Sequence, residues 1–145
     1  MEPDIERVVR ALREEVGKLS RMVDALCAMY GLISEEEFRE EIRRALREEH
    51  GLVVEKWEYF DSEGYVYSVP FHVEVYVVAC GPGVVLVEVL PHARRGDVAA
   101  FKRKAELYER VTGRKPYKLV IASPHFEDRA IETCKVLGIE PCTGA

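Results

Sequence analysis

Ile5, Val9, Leu12, Val16, Leu19, Val23, Leu26 and Tyr30 recur at alternating spacings of four and three residues, which predicts one helix over residues 4–30. Glu, Arg and Lys fill the positions between them. A seam of two positions in seven suits pairing with another helix, whereas packing on a core takes a wider stripe. A long coiled coil that makes the chain a homodimer is therefore expected. Val8 and Met22 widen the stripe and leave docking within the chain as the second reading. Gly31 closes this helix, and Ser34-Glu35-Glu36-Glu37 opens the next with a capping-box pattern. That second helix runs to about His50, with Phe38, Ile42, Ala45 and Leu46 inward, and Gly51 ends it. The hinge at 31–33 divides the chain into a coiled-coil helix, 1–33, and a domain, 34–145.

From residue 52 the apolar spacing changes to that of strands. Strands are predicted over 52–60, over 65–79 after a turn at Asp61-Ser62-Glu63-Gly64, and over 84–90 after Cys80-Gly81-Pro82-Gly83. Pro70 kinks the second and Pro91 stops the third. Asp97 is expected to cap a helix reaching Thr112, with Val98, Phe101, Ala105 and Tyr108 on its buried face. A short apolar strand follows over 117–122. Ser123-Pro124 starts a last helix, Gly138 caps it, and 139–142 adds a strand. The fold class is α/β (α+β): a mixed central sheet flanked by helices, with a right-handed crossover between parallel strands from 84 to 122.

Two acids stand out in valine-rich strands, Glu74 and Glu88. Strands this apolar have both faces covered, and a covered carboxylate needs a partner. If Val78 pairs with Val84 across a five-residue loop, Glu74 lies directly opposite Glu88 on one side of the sheet. A four-residue loop would put them on opposite faces, because a one-residue slip turns every side chain over. Facing carboxylates repel unless a cation, a shared proton or a donor sits between them.

Composition narrows the classes. A hydrophobic fraction of 48% with 32% charged residues describes a globular chain rather than a disordered one. No apolar run approaches a membrane span, the start M-E-P-D-I-E-R does not read as a signal peptide, and the cytoplasm is the expected location. The net charge of -5 argues against a general nucleic-acid coat, yet residues 94–118 hold nine bases against three acids. That segment offers a surface to an anionic partner. Asn and Gln are absent while Glu and Arg abound, which points to a thermophilic source. Cys27, Cys80, Cys134 and Cys142 lack the spacing of structural zinc, and Cys134–Cys142 or Cys80–Cys142 bridges remain open. No phosphate-binding glycine motif follows a strand.

The element order, with acids on the second and third strands, resembles the core of the PD-(D/E)XK, or restriction-endonuclease-like, nuclease superfamily. Glu88-Val89-Leu90 followed by R-R-G-D-V-A-A-F-K-R-K-A-E-L-Y-E is similar to archaeal proteins with this fold and an N-terminal coiled coil. The resemblance covers residues 35–142, most closely 70–140. It implies an αβββαβ core in which the two strand acids bind Mg²⁺ or Mn²⁺, with Glu74 in place of the usual Asp and Glu88 as the E of E-x-K. In this family a lysine two residues on positions or activates the attacking water, but here that place is Leu90. Such a lysine is sometimes supplied by the following helix, which makes Lys102 and Lys104 candidates. His72 is a further candidate ligand or base, His92 a candidate phosphate contact, and Glu41 a candidate third acid. Arg94, Arg95, Lys102 and Arg103 would meet nucleic acid. Two readings follow: a metal-dependent nuclease, or a nuclease fold that has lost its chemistry and serves as a binding module for nucleic acid or protein.

Overall fold

The computed structural model describes the backbone of residues 3–29 and 35–143, and the side chains of 5–18 and 36–143. Among the described residues nine elements follow in order: α1 (Pro3–Met29), α2 (Glu35–Glu48), β1 (Val54–Asp61), β2 (Phe71–Cys80), β3 (Gly83–Val89), α3 (Arg95–Thr112), β4 (Lys118–Ala122), α4 (Asp128–Leu137) and β5 (Ile139–Cys142). The strands form one mixed sheet in the order β1-β2-β3-β4-β5. The β1–β2 and β2–β3 pairs are antiparallel, whereas β3–β4 and β4–β5 are parallel.

Strand alternation sends every second residue to each face, and both faces are covered. On one, Leu12, Val16, Phe38 and Ile42 of α1 and α2 pack against Val54, Val78, Val85, Val87 and Val120. On the other, Phe101 and Tyr108 of α3 and Ala130 and Cys134 of α4 pack against Val75, Leu86 and Ile121. The continuous valine runs of β2 and β3 are therefore central strands with helices above and below.

The coiled-coil expectation is corrected over the described part of α1. Ile5, Val9, Leu12 and Val16 are buried within this chain, together with Val8 and Ala11 from beside the seam. Those two flanking residues broaden the apolar stripe to the width a sheet face needs. Arg13 pairs with Glu140 of β5 at 3.1 Å, and the Cys142 thiol donates to the Val9 carbonyl at 3.9 Å. The side chains of the remaining seam positions Leu19, Val23, Leu26 and Tyr30, and the expected boundary at 33/34, lie outside what is described.

The β2–β3 register also differs from the five-residue loop. Cys80 pairs with Gly83 and Val78 with Val85, so the turn is only Gly81-Pro82. The slip is one residue. It puts Glu88 on the α3 face and Glu74 on the α2 face, and His72 pairs with Phe60 of β1.

Three element starts shift for local reasons. Residues 65–70 belong to a loop rather than to β2, because the Asp61 carboxylate accepts the Val66 amide at 2.8 Å and folds the chain back. Asp97 is the third residue of α3 rather than its cap, and accepts the Arg94 amide at 2.9 Å. The α4 helix begins at Asp128, since Ser123 turns the chain by bonding His125 and Ala93 bridges Phe126.

Neither proposed disulfide is compatible with the sheet. Cys134 lies on the α3/α4 face while Cys142 lies on the other. Cys80 pairs at Gly83, Cys142 pairs with Ala122 beside Val89, and six residues of strand separate those rows. That is roughly 20 Å, far beyond a bridge.

Candidate active site

The β2–β3 ladder ends at Tyr76–Val87. Continued in register it would pair Glu74 with Val89, but the strands part there and two cations cap the open carbonyls. Lys104 of α3 donates to the Glu74 carbonyl at 3.1 Å, and Arg39 of α2 donates to the Val89 carbonyl at 3.2 Å. The fork is thus held from both faces of the sheet, and the two acids of the sequence pattern stand at it.

Lys104 lies on the buried face of α3. Phe101, Lys104, Ala105 and Tyr108 share one side of the helix by their spacing, and Lys104 is only 6% exposed. Its Nζ donates to Glu88 Oε2 at 2.9 Å. Burial pushes the Glu88 carboxyl above its usual range, and the Lys104 charge opposes this without cancelling it. For Lys104 burial is the largest influence and works downward, but the charges of and hydrogen bonds with Glu88 and Tyr67 together outweigh it, and the ammonium is held more firmly. Leu90, at the motif-lysine position, is buried in the α3-side core.

Glu74 is half-buried on the α2 face. Its ion-pair contacts are long: Lys56 and His72 at 3.7 Å and Arg39 at 4.0 Å. His72 Nε2 lies 3.1 Å from Glu58 Oε1, and the ligand atoms of Glu58, His72 and Glu74 fall within 4.8 Å of one another. A cavity of about 20 Å³ is lined by Arg39, Lys56, Glu74, Val75, Tyr76, Glu88, Val89 and Lys104. Both acids reach it, one from each side of the fork. The Tyr76 hydroxyl is pushed to about 12, chiefly by burial and also by Glu40, and stays a donor at any ordinary pH.

The other sequence candidates stand apart. Lys102 lines a surface depression with Glu106, Glu109 and Lys115. Glu41 pairs with Arg44 along α2. Arg94 is exposed and lies 3.7 Å from Glu127, and Arg95 shares an open surface with Arg129 and Glu132. Arg103 donates to the Val66 carbonyl at 2.7 Å and holds the 62–70 loop. His92 is paired with the His125 ring at 4.7 Å. Arg39 and Lys56 escape a sequence reading. Arg39 sits among the alternating charges of α2, and nothing in its spacing separates it from Arg43 or Arg44. Lys104 had a signal, a lone cation on an apolar helix face.

Residues 71–140 match the family model described as PD-(D/E)XK nuclease superfamily. Residues 2–70 match a second one, "Protein of unknown function (DUF3782)". Their boundary falls between β1 and β2, which pair in one sheet. No curated protein matches the chain. Among solved structures, "Structure of EndoMS in apo form" is similar, with a TM-score of 0.54 and 15% identity over 76% of this chain and 45% of that one. The chain therefore spans less than half the length of that protein. The mixed five-stranded sheet is a nuclease-like α+β fold, and the segment that carries Glu74, Glu88 and Lys104, just under half of the chain, matches the PD-(D/E)XK nuclease superfamily.

Proposed function

We propose that the protein is a divalent-metal-dependent nuclease that hydrolyses phosphodiester bonds in nucleic acid, with Lys104 of α3 in the role of the missing motif lysine. The observation that carries this reading is the 2.9 Å contact between Lys104 Nζ and Glu88, made from the next helix across the position of Leu90. Glu74 and Glu88 are the residues that would hold Mg²⁺ or Mn²⁺. The donor set suits either ion: two hard carboxylates, one of them with only long ion-pair contacts, line a cavity with room for about one water-sized sphere. When bound, such an ion stabilises phosphoryl charge and acidifies a coordinated water.

The chain's own groups complete the arrangement. The Lys104 charge favours the ionised form of Glu88 against its burial and presents an ammonium donor to the reacting phosphate. Arg39 and Lys56 bring positive charge to the α2 side of the same cavity. Exposed Arg94 and Arg95 stand at the start of α3 as contacts for the phosphate backbone.

Calorimetric titration of Mn²⁺ into the wild type and into the Glu74→Ala and Glu88→Ala variants, each checked by thermal melting, tests the metal site. Saturable binding lost in both folded variants, with metal-dependent cleavage abolished in Lys104→Ala, is expected. Binding that survives both substitutions would overturn the assignment. A second reading, nucleic-acid binding without cleavage, is favoured by Leu90 at the motif position and by the Arg39 guanidinium already seated on the Val89 carbonyl. Salt-dependent binding with no turnover under Mg²⁺ or Mn²⁺ would establish it.

A further inference from the structure

Beside the fork, on the α3 face of the sheet, the β1–β2 edge carries a group of aromatic rings that the core does not absorb. Trp57 and Tyr59 stack at 5.5 Å with their planes 6° apart. Tyr67 meets Phe71 edge-on at 5.4 Å. Tyr59, Tyr67 and Phe71 are 37%, 40% and 56% exposed, an unusual way to leave large rings. Lys104 ties this surface to the candidate site, because the Nζ that bonds Glu88 also stands 5.9 Å from the Tyr67 ring centre.

The segment that presents Tyr67 is fixed rather than loose. Asp61 takes the Val66 amide, Arg103 takes the Val66 carbonyl, and Ser68 bonds back to Gly64 at 3.0 Å. Gly64 has φ of 69°, and a Cβ there would lie 2.9 Å from the Val69 amide nitrogen. Ser68 holds φ of 68°, a costly conformation for a residue with a side chain. Around the rings stand the cations Arg103 and Arg110, the latter 4.6 Å over Tyr65, whose hydroxyl donates to exposed Glu106 at 2.8 Å, while Lys104 is buried against Glu88. Exposed rings on a rigid loop, with two arginines beside them, fit a strand whose bases stack while its phosphates meet the guanidinium groups.

We propose that Tyr67 and Phe71, with Tyr59 beside them, form a stacking platform for unpaired nucleobases, so that the substrate is a nucleic-acid strand with single-stranded character next to the scissile phosphate. This rests on the nuclease reading above and adds the substrate class. A second copy of the chain is the competing occupant.

The test is metal-free binding to the full chain in chelator, read by fluorescence anisotropy. The probes are labelled oligothymidylate, an abasic strand of the same length, and a blunt duplex. Trp57, the sole tryptophan, is a second reporter through its stack on Tyr59. Oligothymidylate should bind at least tenfold tighter than the abasic strand and quench Trp57. Tyr67→Ala and Phe71→Ala should each weaken oligothymidylate by about 5- to 100-fold while leaving the abasic strand unchanged, and Tyr67→Phe should bind as the wild type does. Equal affinity for base-bearing and abasic strands overturns the platform, as does indifference of folded Tyr67→Ala and Phe71→Ala to the bases. If Phe71→Ala instead turns a sedimenting dimer into a monomer and leaves oligothymidylate affinity intact, the surface is a contact between copies and the proposal falls. Duplex binding with metal-dependent cleavage but no base effect sinks this inference alone. Failure of all three probes to bind sinks the nuclease reading with it.

Discussion

Lys104 and Glu88 form a charge pair in a place where neither charge would survive alone. Removing one partner from a buried pair costs about 3–5 kcal/mol, because the other is left uncompensated. Lys104→Met and Glu88→Gln should each lower stability in urea unfolding, and the double variant should lose clearly less than the two losses combined. Simple additivity would mean that the 2.9 Å contact contributes nothing. Arg39 has the opposite relation to the site. It sits on the Val89 carbonyl and 4.0 Å from Glu74, so it occupies acceptors that a divalent ion would use. Arg39→Ala should therefore tighten Mn²⁺ binding several-fold by calorimetry, and a weakened affinity would show that Arg39 supports the ligands rather than competing for them. At this scale the sequence was legible in part. Glu74, Glu88 and Lys104 could be picked out because each is a charge inside an apolar pattern. Arg39 could not, since its value comes from where α2 crosses the sheet.

Among the elements, the hairpin between β2 and β3 decides the most. The five strands and four helices of the described residues could be read from periodicity, yet the expected pairing across this hairpin was off by one residue. Gly81 with φ of 59° followed by Pro82 makes a two-residue turn, of the kind that takes glycine at its first position. Gly83 then enters the ladder because the Tyr117 ring lies against it, and a Cβ there would come within 2.2 Å of that ring. Tyr117 also donates its amide to the Val84 carbonyl at 2.9 Å. A residue distant in sequence thus fixes the register, and no local pattern carries that information. Residues 65–70 of the loop after β1 were misread as strand for a similar reason, since their anchor is the buried Asp61 carboxylate. Asp61→Ala would leave the buried Val66 amide without its acceptor. It should cost about 1–3 kcal/mol in urea unfolding, and a loss within error would place the hold on the loop elsewhere.

The whole molecule is organised by α1, whose heptad spacing pointed outward to another helix while its first half packs inward. Leu12 is fully buried between α2 and the sheet. Leu12→Ala should destabilise the domain by about 2–5 kcal/mol, with an unfolding midpoint that does not move with protein concentration. A midpoint that rises with concentration would mean that Leu12 is buried between copies. The two-per-seven seam was real in the sequence, but Val8 and Ala11 beside it carried the deciding weight, and only the sheet shows why.

The seat of α1 has a consequence for how the chain is made. Arg13 and Glu140 are 127 residues apart, and Val9 meets Cys142 across a still longer span. On the ribosome, α1 is synthesised long before β5, and the part of its surface that β5 covers stays open until that far strand emerges. Such distant pairings close slowly. The nascent chain is therefore open to chaperones and to wrong partners for most of its synthesis. A chain ended at Gly138 should show α1 amides exchanging rapidly with solvent; protected amides there would mean that α2 and the first four strands are enough to seat the helix.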